Sequence, residues 1–166
     1  MADYHSPTVV DPVIPVADMN ALERLLISNI FEYDEEGDNL YFHHWAGAES
    51  VISVNRQEFE AALANAHYDE NSPLAQLVEQ AKGAPALAEE IELDLSEMSF
   101  EFLFQNIIRR SSTLQYILVI TSFMCTKMRF DGFGGMATVI TADKIAGKST
   151  HDIIAELLDE AGIKEL

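Results

Sequence analysis

The chain has 166 residues, 48% of them hydrophobic and 23% charged, a composition that builds an ordinary globular core and excludes a disordered or fibrous chain. Twenty-eight acidic against ten basic side chains give a net charge of −18, which opposes direct binding to DNA or RNA and to anionic lipid, because both need Lys and Arg to displace counterions. One cysteine, Cys125, excludes an internal disulfide and a Cys-based zinc site. A reducing, cytoplasmic setting is the expectation, since Cys125 stands alone, Met1 to His5 lacks the basic start of a secretory signal and the apolar run Ile117 to Cys125 is too short to span a bilayer.

Residues 1–17 contain Pro7, Pro12 and Pro15 among β-branched residues without helical period, which reads as an extended N-terminal arm ahead of one domain at 18–166. Asp18 is the expected cap of a helix with Leu22, Leu25, Leu26 and Ile30 on its apolar side. A hairpin signal follows: an aromatic strand at Phe31 to Tyr33, a polar turn from Asp34 to Asn39 opened by Gly37, and a strand from Leu40 to Trp45.

Val51 to Val54 reads as a strand ending at Asn55, which with Glu58 forms a capping-box pattern for a helix bearing Phe59, Ala62, Leu63 and Ala66. Ser72-Pro73 starts another helix, with Leu74, Leu77, Val78 and Ala81 inward and Gly83 as the stop; Pro85 is expected to open one further turn. Ile91, Leu93 and Leu95 alternate with acids as a half-buried strand. Phe100, Leu103, Phe104, Ile107 and Ile108 have helical spacing, with Arg109 and Arg110 complementing the dipole of the last turn.

Leu114 to about Met128 is the most β-prone stretch, and its near-continuous apolarity predicts a central strand covered on both faces. A Gly-rich loop at Asp131 to Gly135 and a strand from Met136 to Thr141 come next. Ser149 and Asp152 cap a final helix whose stripe is Ile153, Ile154, Leu157, Leu158 and Ala161, stopped by Gly162. Hairpins mixed with helices imply an α+β fold, with a mixed or antiparallel sheet of about five strands and helices packed on it.

Most motif-like strings resolve into structure. Ala142 to Ser149 resembles a phosphate loop in letters, but its first position is Ala and the further strands such a fold requires would have to follow Ser149. Helix capping is the simpler reading. Gly132 to Ala137 matches a dinucleotide fingerprint, yet its continuation reads as strand where a helix is needed. His43 and His44 are neighbours on a strand and point to opposite faces, so they cannot chelate one ion. Asp34 to Asp38 lacks the Gly placement and the bidentate Glu of a calcium loop. No metal and no cofactor is expected.

Two readings of function remain. Residues 1–112 carry 21 acidic and 5 basic side chains, a balance of −16, against −2 for 113–166. The first reading is therefore an acidic protein-binding module (inhibitor, immunity-type, adaptor or nucleic-acid mimic) that engages a basic protein partner through Asp34, Glu35, Glu36, Asp38, Tyr41 and Trp45. The second is an anion- or nucleotide-binding domain, or a small enzyme, acting at the Gly-rich loop 131–135. Arg129, Gly134, Gly135, Lys144 and Lys148 would form its anion site, with Asp131 as its base. A homo-oligomer formed through a sheet edge such as Leu40 to Trp45 is a further possibility.

Overall fold

The fold is α+β and antiparallel throughout its sheets, as seen in a computed structural model that describes residues 3–68, 70 and 72–163. The described residues form an eight-stranded main sheet and a two-stranded second sheet, more than the five strands the sequence suggests. The difference comes mainly from short strands, three of them in the proline-interrupted N-terminal segment. The expected arm contributes β1 (Tyr4–His5), β2 (Thr8–Asp11) and β3 (Ile14–Pro15). Of these, β2 lies inside the sheet, paired to strands on both sides.

Helix α1 (Ala21–Ile30) is capped by Asn20, two residues beyond the expected Asp18. Asn20 accepts the Glu23 N–H at 2.8 Å, and the Glu23 carboxylate accepts the Asn20 N–H at 3.0 Å, closing a capping box. Asp18 is unavailable for that role because its carboxylate accepts Ser111 Oγ–H and Thr113 Oγ1–H. The hairpin β4 (Glu32–Glu36) and β5 (Asn39–His44) also departs from expectation. Pairing of Glu36 with Asn39 leaves only Gly37 and Asp38 in the turn, and Gly37 takes the positive φ of 63° that this turn requires. The carboxylates read as turn therefore stand on a strand.

The second sheet pairs β6 (Val51–Asn55) with β7 (Glu90–Asp94). Between them lie α2 (Arg56–Ala64), capped by Asn55, and α3 (Pro73–Gly83), capped by Ser72. Pro85 opens a single hydrogen-bonded turn to Ala88 and no helix. Helix α4 (Glu101–Arg110) follows, then β8 (Tyr116–Cys125), β9 (Gly134–Thr141), β10 (Ile145–Ser149) and α5 (Thr150–Glu160). The main sheet runs β10-β9-β8-β2-β5-β3, with β4 paired to β5 and β1 to β8. Strand β5 is thus interior, flanked by β4, β2 and β3, and offers no open edge for self-association.

One apolar core joins both sheets and the helices between them. Helix α4 packs on β8 and β9, while α1 contacts β4, β6 and α2. Four phenylalanines knit the centre: Phe31 lies edge-on to Phe100 at 5.1 Å, and Phe104 sits 5.9 Å from Phe31 and 6.4 Å from Phe42. Phe104 is fully buried. Phe104→Ala is expected to lower unfolding free energy by about 3–5 kcal/mol, read from urea denaturation; a loss under about 1 kcal/mol would mean that this cluster is not the centre of the core.

Candidate functional site

Strand β8 overturns the expectation of double burial. Ile117, Val119 and Cys125 face inward and are buried, while Tyr116 and Ile120 on the opposite face are exposed. The near-continuous apolarity of this segment does not come from two covering layers. It comes from an inner face packed on α4 and an outer face that stays apolar in the open.

Register carries that outer face across the whole sheet, because residues directly opposite in antiparallel strands share a face. One row runs Glu32, His43, Val9, Ile120, Ala137 and Lys148 over six successive strands. The next holds Asp11, Leu118, Val139 and Ala146. Asp34 opposite Tyr41 extends the same face at the β4 end. The surface thus passes from carboxylates, through a strip with Val9 39%, Ile120 46% and Val139 42% exposed, to a lysine. His43 stands within the acidic end, with Nε2 at 3.2 Å from Asp34 and Nδ1 at 3.7 Å from Glu32.

Of the residues the sequence nominates for protein binding, Asp34, Glu36 and Tyr41 fall together on this face. Glu35 points to the other side, where it lines a cleft with Arg24 and Leu40. Asp38 is in the turn, and its carbonyl accepts the Val16 N–H at 3.0 Å. Trp45 lies past the far end of β5, 62% exposed, its ring 6.2 Å from that of His5. The sequence reading missed Glu32, His43, Val9, Ile120 and Val139. Tyr116, Leu118 and Ile120 do alternate, but the apolar residues between them hide the period.

The acidity of the first 112 residues is divided between two sheets. Glu90, Glu92 and Asp94 form a second exposed row on β7, which does not pair with the main sheet. Two hydrogen bonds from Ser96 hold the Asp94 carboxyl below its ordinary value.

The nominated anion-site residues do not converge on one pocket: two of them bond to α5, one to the end of β9, and Arg129 is exposed. Gly134 and Gly135 belong to β9, paired with Phe123 and Ser122, and the Gly135 N–H donates to Thr150 Oγ1 at 3.2 Å. A Cβ on Gly134 would lie 2.4 Å from Thr150 Oγ1, and one on Gly132 would lie 2.4 Å from the Cys125 Cβ. Close packing therefore accounts for these glycines. Lys148 Nζ donates to both oxygens of Glu156 at 2.6 and 2.7 Å. Lys144 sits in the β9–β10 turn, where its N–H donates to Thr141 Oγ1, while Arg129 and Asp131 are exposed around a 3-10 turn at Phe130–Gly132. The string that resembles a phosphate loop forms that turn and β10, with Ser149 capping α5 through a box with Asp152.

Among the described residues no three His, Cys, Asp or Glu side chains are grouped to hold a metal ion. None of their helices is long and apolar enough to cross a membrane. No protein-family model, curated protein or solved structure matches the chain.

Among the described residues the one buried carboxylate is Glu23, in a cleft of about 530 Å³ lined also by His67, Gln105, Arg109 and Arg110. Burial raises its pKa above the ordinary 4.5, against the opposing effects of the Arg110 guanidinium, which donates to it, and the Asn20 N–H. A raised folded-state value means that the folded chain holds this proton more tightly than the unfolded chain. The associated stability is whole below pH 4.5 and is lost as pH climbs through the folded value. The stability of the wild type relative to Glu23→Gln is therefore expected to fall as pH rises above 4.5, in urea titrations at stepped pH. A relative stability that climbs over that range would show that Arg110 outweighs burial.

Proposed function

We propose that this chain is an acidic protein-binding module, of the inhibitor, immunity or adaptor type, that receives a basic partner on the outer face of its main sheet. The observation that supports this is the row from Glu32 to Lys148, which sets carboxylates beside an uncovered apolar strip. The two parts do different work. Desolvating Val9, Ile120 and Val139 supplies affinity, at roughly 25 cal/mol per Å² of apolar area removed from water. Glu32, Asp34 and Glu36 steer the encounter and reject acidic competitors. The matching partner presents apolar side chains flanked on one side by Arg or Lys, with an Arg able to stack on Tyr41 while pairing with Asp34.

This chemistry predicts two separable losses. Replacing Glu32, Asp34 and Glu36 together by Gln, Asn and Gln weakens capture of the partner chiefly at low salt, where charges act beyond the roughly 10 Å screening length of 0.1 M salt. Ile120→Lys weakens it at every salt concentration. Affinity capture of one basic protein from a lysate, followed by titration of the purified pair with each variant, provides the measurement. A partner that binds both variants as tightly as the wild type, at low and high salt alike, would overturn the assignment.

A further inference from the structure

The ends of the main sheet are treated differently, and the difference points to a second copy of the chain. At one end β4 carries Glu32, Asp34, Glu35 and Glu36, all exposed, and β3 ends in Pro15. Charges and proline are the ordinary guards against edge-to-edge pairing. The other end is β10, whose sole strand neighbour among the described residues is β9 and whose sequence, Ile-Ala-Gly-Lys-Ser, is nearly unguarded. Its one charge, Lys148, is already paired with Glu156.

The free groups on that edge can be assigned. Thr141 N–H donates to the Lys144 carbonyl at 2.8 Å, which fixes the alternation. Ala146 and Lys148 then bond to β9, while Ile145 and Gly147 turn their N–H and C=O groups outward. Ser149 adds no donor, because its N–H is held by Asp152.

Beside this edge lies a helix with an uncovered stripe. Helix α5 packs on β9 and β10, yet none of its residues is buried, with Ile153 45% and Leu157 57% exposed. Its ends are well formed: a capping box at Ser149, and a C-terminal reversal in which Gly162 N–H donates to Asp159 O and Ile163 N–H to Leu158 O. A helix so defined, with its apolar side in water, lacks a neighbour.

We infer that β10 pairs antiparallel with β10 of a second copy, joining two main sheets into one and bringing the two α5 stripes of Ile153 and Leu157 together across the two-fold axis. With the axis at Ala146, Ile145 and Gly147 of one copy meet Gly147 and Ile145 of the other, and all of their outward N–H and C=O groups are satisfied. Charge opposes a second copy less at this place than elsewhere, because residues 113–166 balance at −2 whereas the rest of the molecule stands at −16. Two copies meeting anywhere on residues 1–112 would oppose like fields. Lys148 faces Lys144 across the axis in this register, and the Glu156 carboxylate on Lys148 offsets that opposition. The open outer faces stay free, so each dimer offers two.

Sedimentation equilibrium of the full chain is expected to give twice the 18.5 kDa of one copy. Ala146→Lys, and separately Leu157→Lys, are expected to give the single-copy mass with unchanged circular dichroism, since both positions are exposed, and a thermal midpoint that no longer depends on protein concentration. Ala146→Cys is expected to form a covalent dimer on mild oxidation, because directly opposed residues of this type bring their Cα atoms to about 4.5 Å. Ile120→Lys, which weakens the proposed partner face, leaves the dimer intact, so the two assignments fail separately. A single-copy mass for the wild type overturns the inference. So does a dimer that survives both lysine variants while Ala146→Cys stays uncross-linked, because the copies would then meet elsewhere.

Discussion

Everything in this molecule follows from the covering of the main sheet on one side only. Strand β8 is ten residues long and lies at the sheet's centre, bonded to β9 along one edge and to β2 and β1 along the other. Its inner residues Ile117 and Val119 are sealed by the layer that contains α4, and the same layer extends through α1 to the β6–β7 pair. All the apolar helix faces but one are consumed there. Nothing among the described residues is left to cover the outer face, and the exception, α5, stands at the β10 end with its own stripe open. An antiparallel sheet tolerates this arrangement, but its open face is normally polar. Here it is apolar at the centre and charged at the margins, the make-up on which the proposed binding function rests.

The helical part of the fold was readable because its signals are local. Ser72-Pro73, Asn55 and Ser149 each satisfy orphan N–H groups at the positions their sequences announce. The spacing of Leu103, Phe104, Ile107 and Ile108 fixes the buried side of α4. Asp18 misled because a carboxylate two residues from the true cap has the right chemistry, and only the distant Ser111 and Thr113 reveal where it bonds. That information is not local.

The strands were less legible for the same reason. Thr8 to Asp11 reads as an arm until β5 and β8 are seen to hold it on both sides, a fact that depends on residues more than 30 and 100 positions away. Ile145 to Ser149 contains Gly147 and Lys148, residues that strands disfavour, and it folds as a strand because β9 offers a free edge. Continuous apolarity in β8 had two physical causes to choose between, burial on two sides or an apolar face left open, and sequence period alone does not separate them. The candidate site shared that fate. Asp34, Glu36 and Tyr41 were visible as an acidic, aromatic hairpin, whereas Glu32, Val9, Ile120 and Val139 join them only through register.

Val9, Ile120 and Val139 meet solvent in the folded chain while Val119 and Ile140, on the same and adjacent strands, do not. Methyl relaxation in the presence of a soluble paramagnetic agent measures this directly. Strong enhancement is expected at Val9, Ile120 and Val139 and little at Val119 and Ile140. Equal protection of both sets would mean that the outer face is covered, and would contradict this exposure.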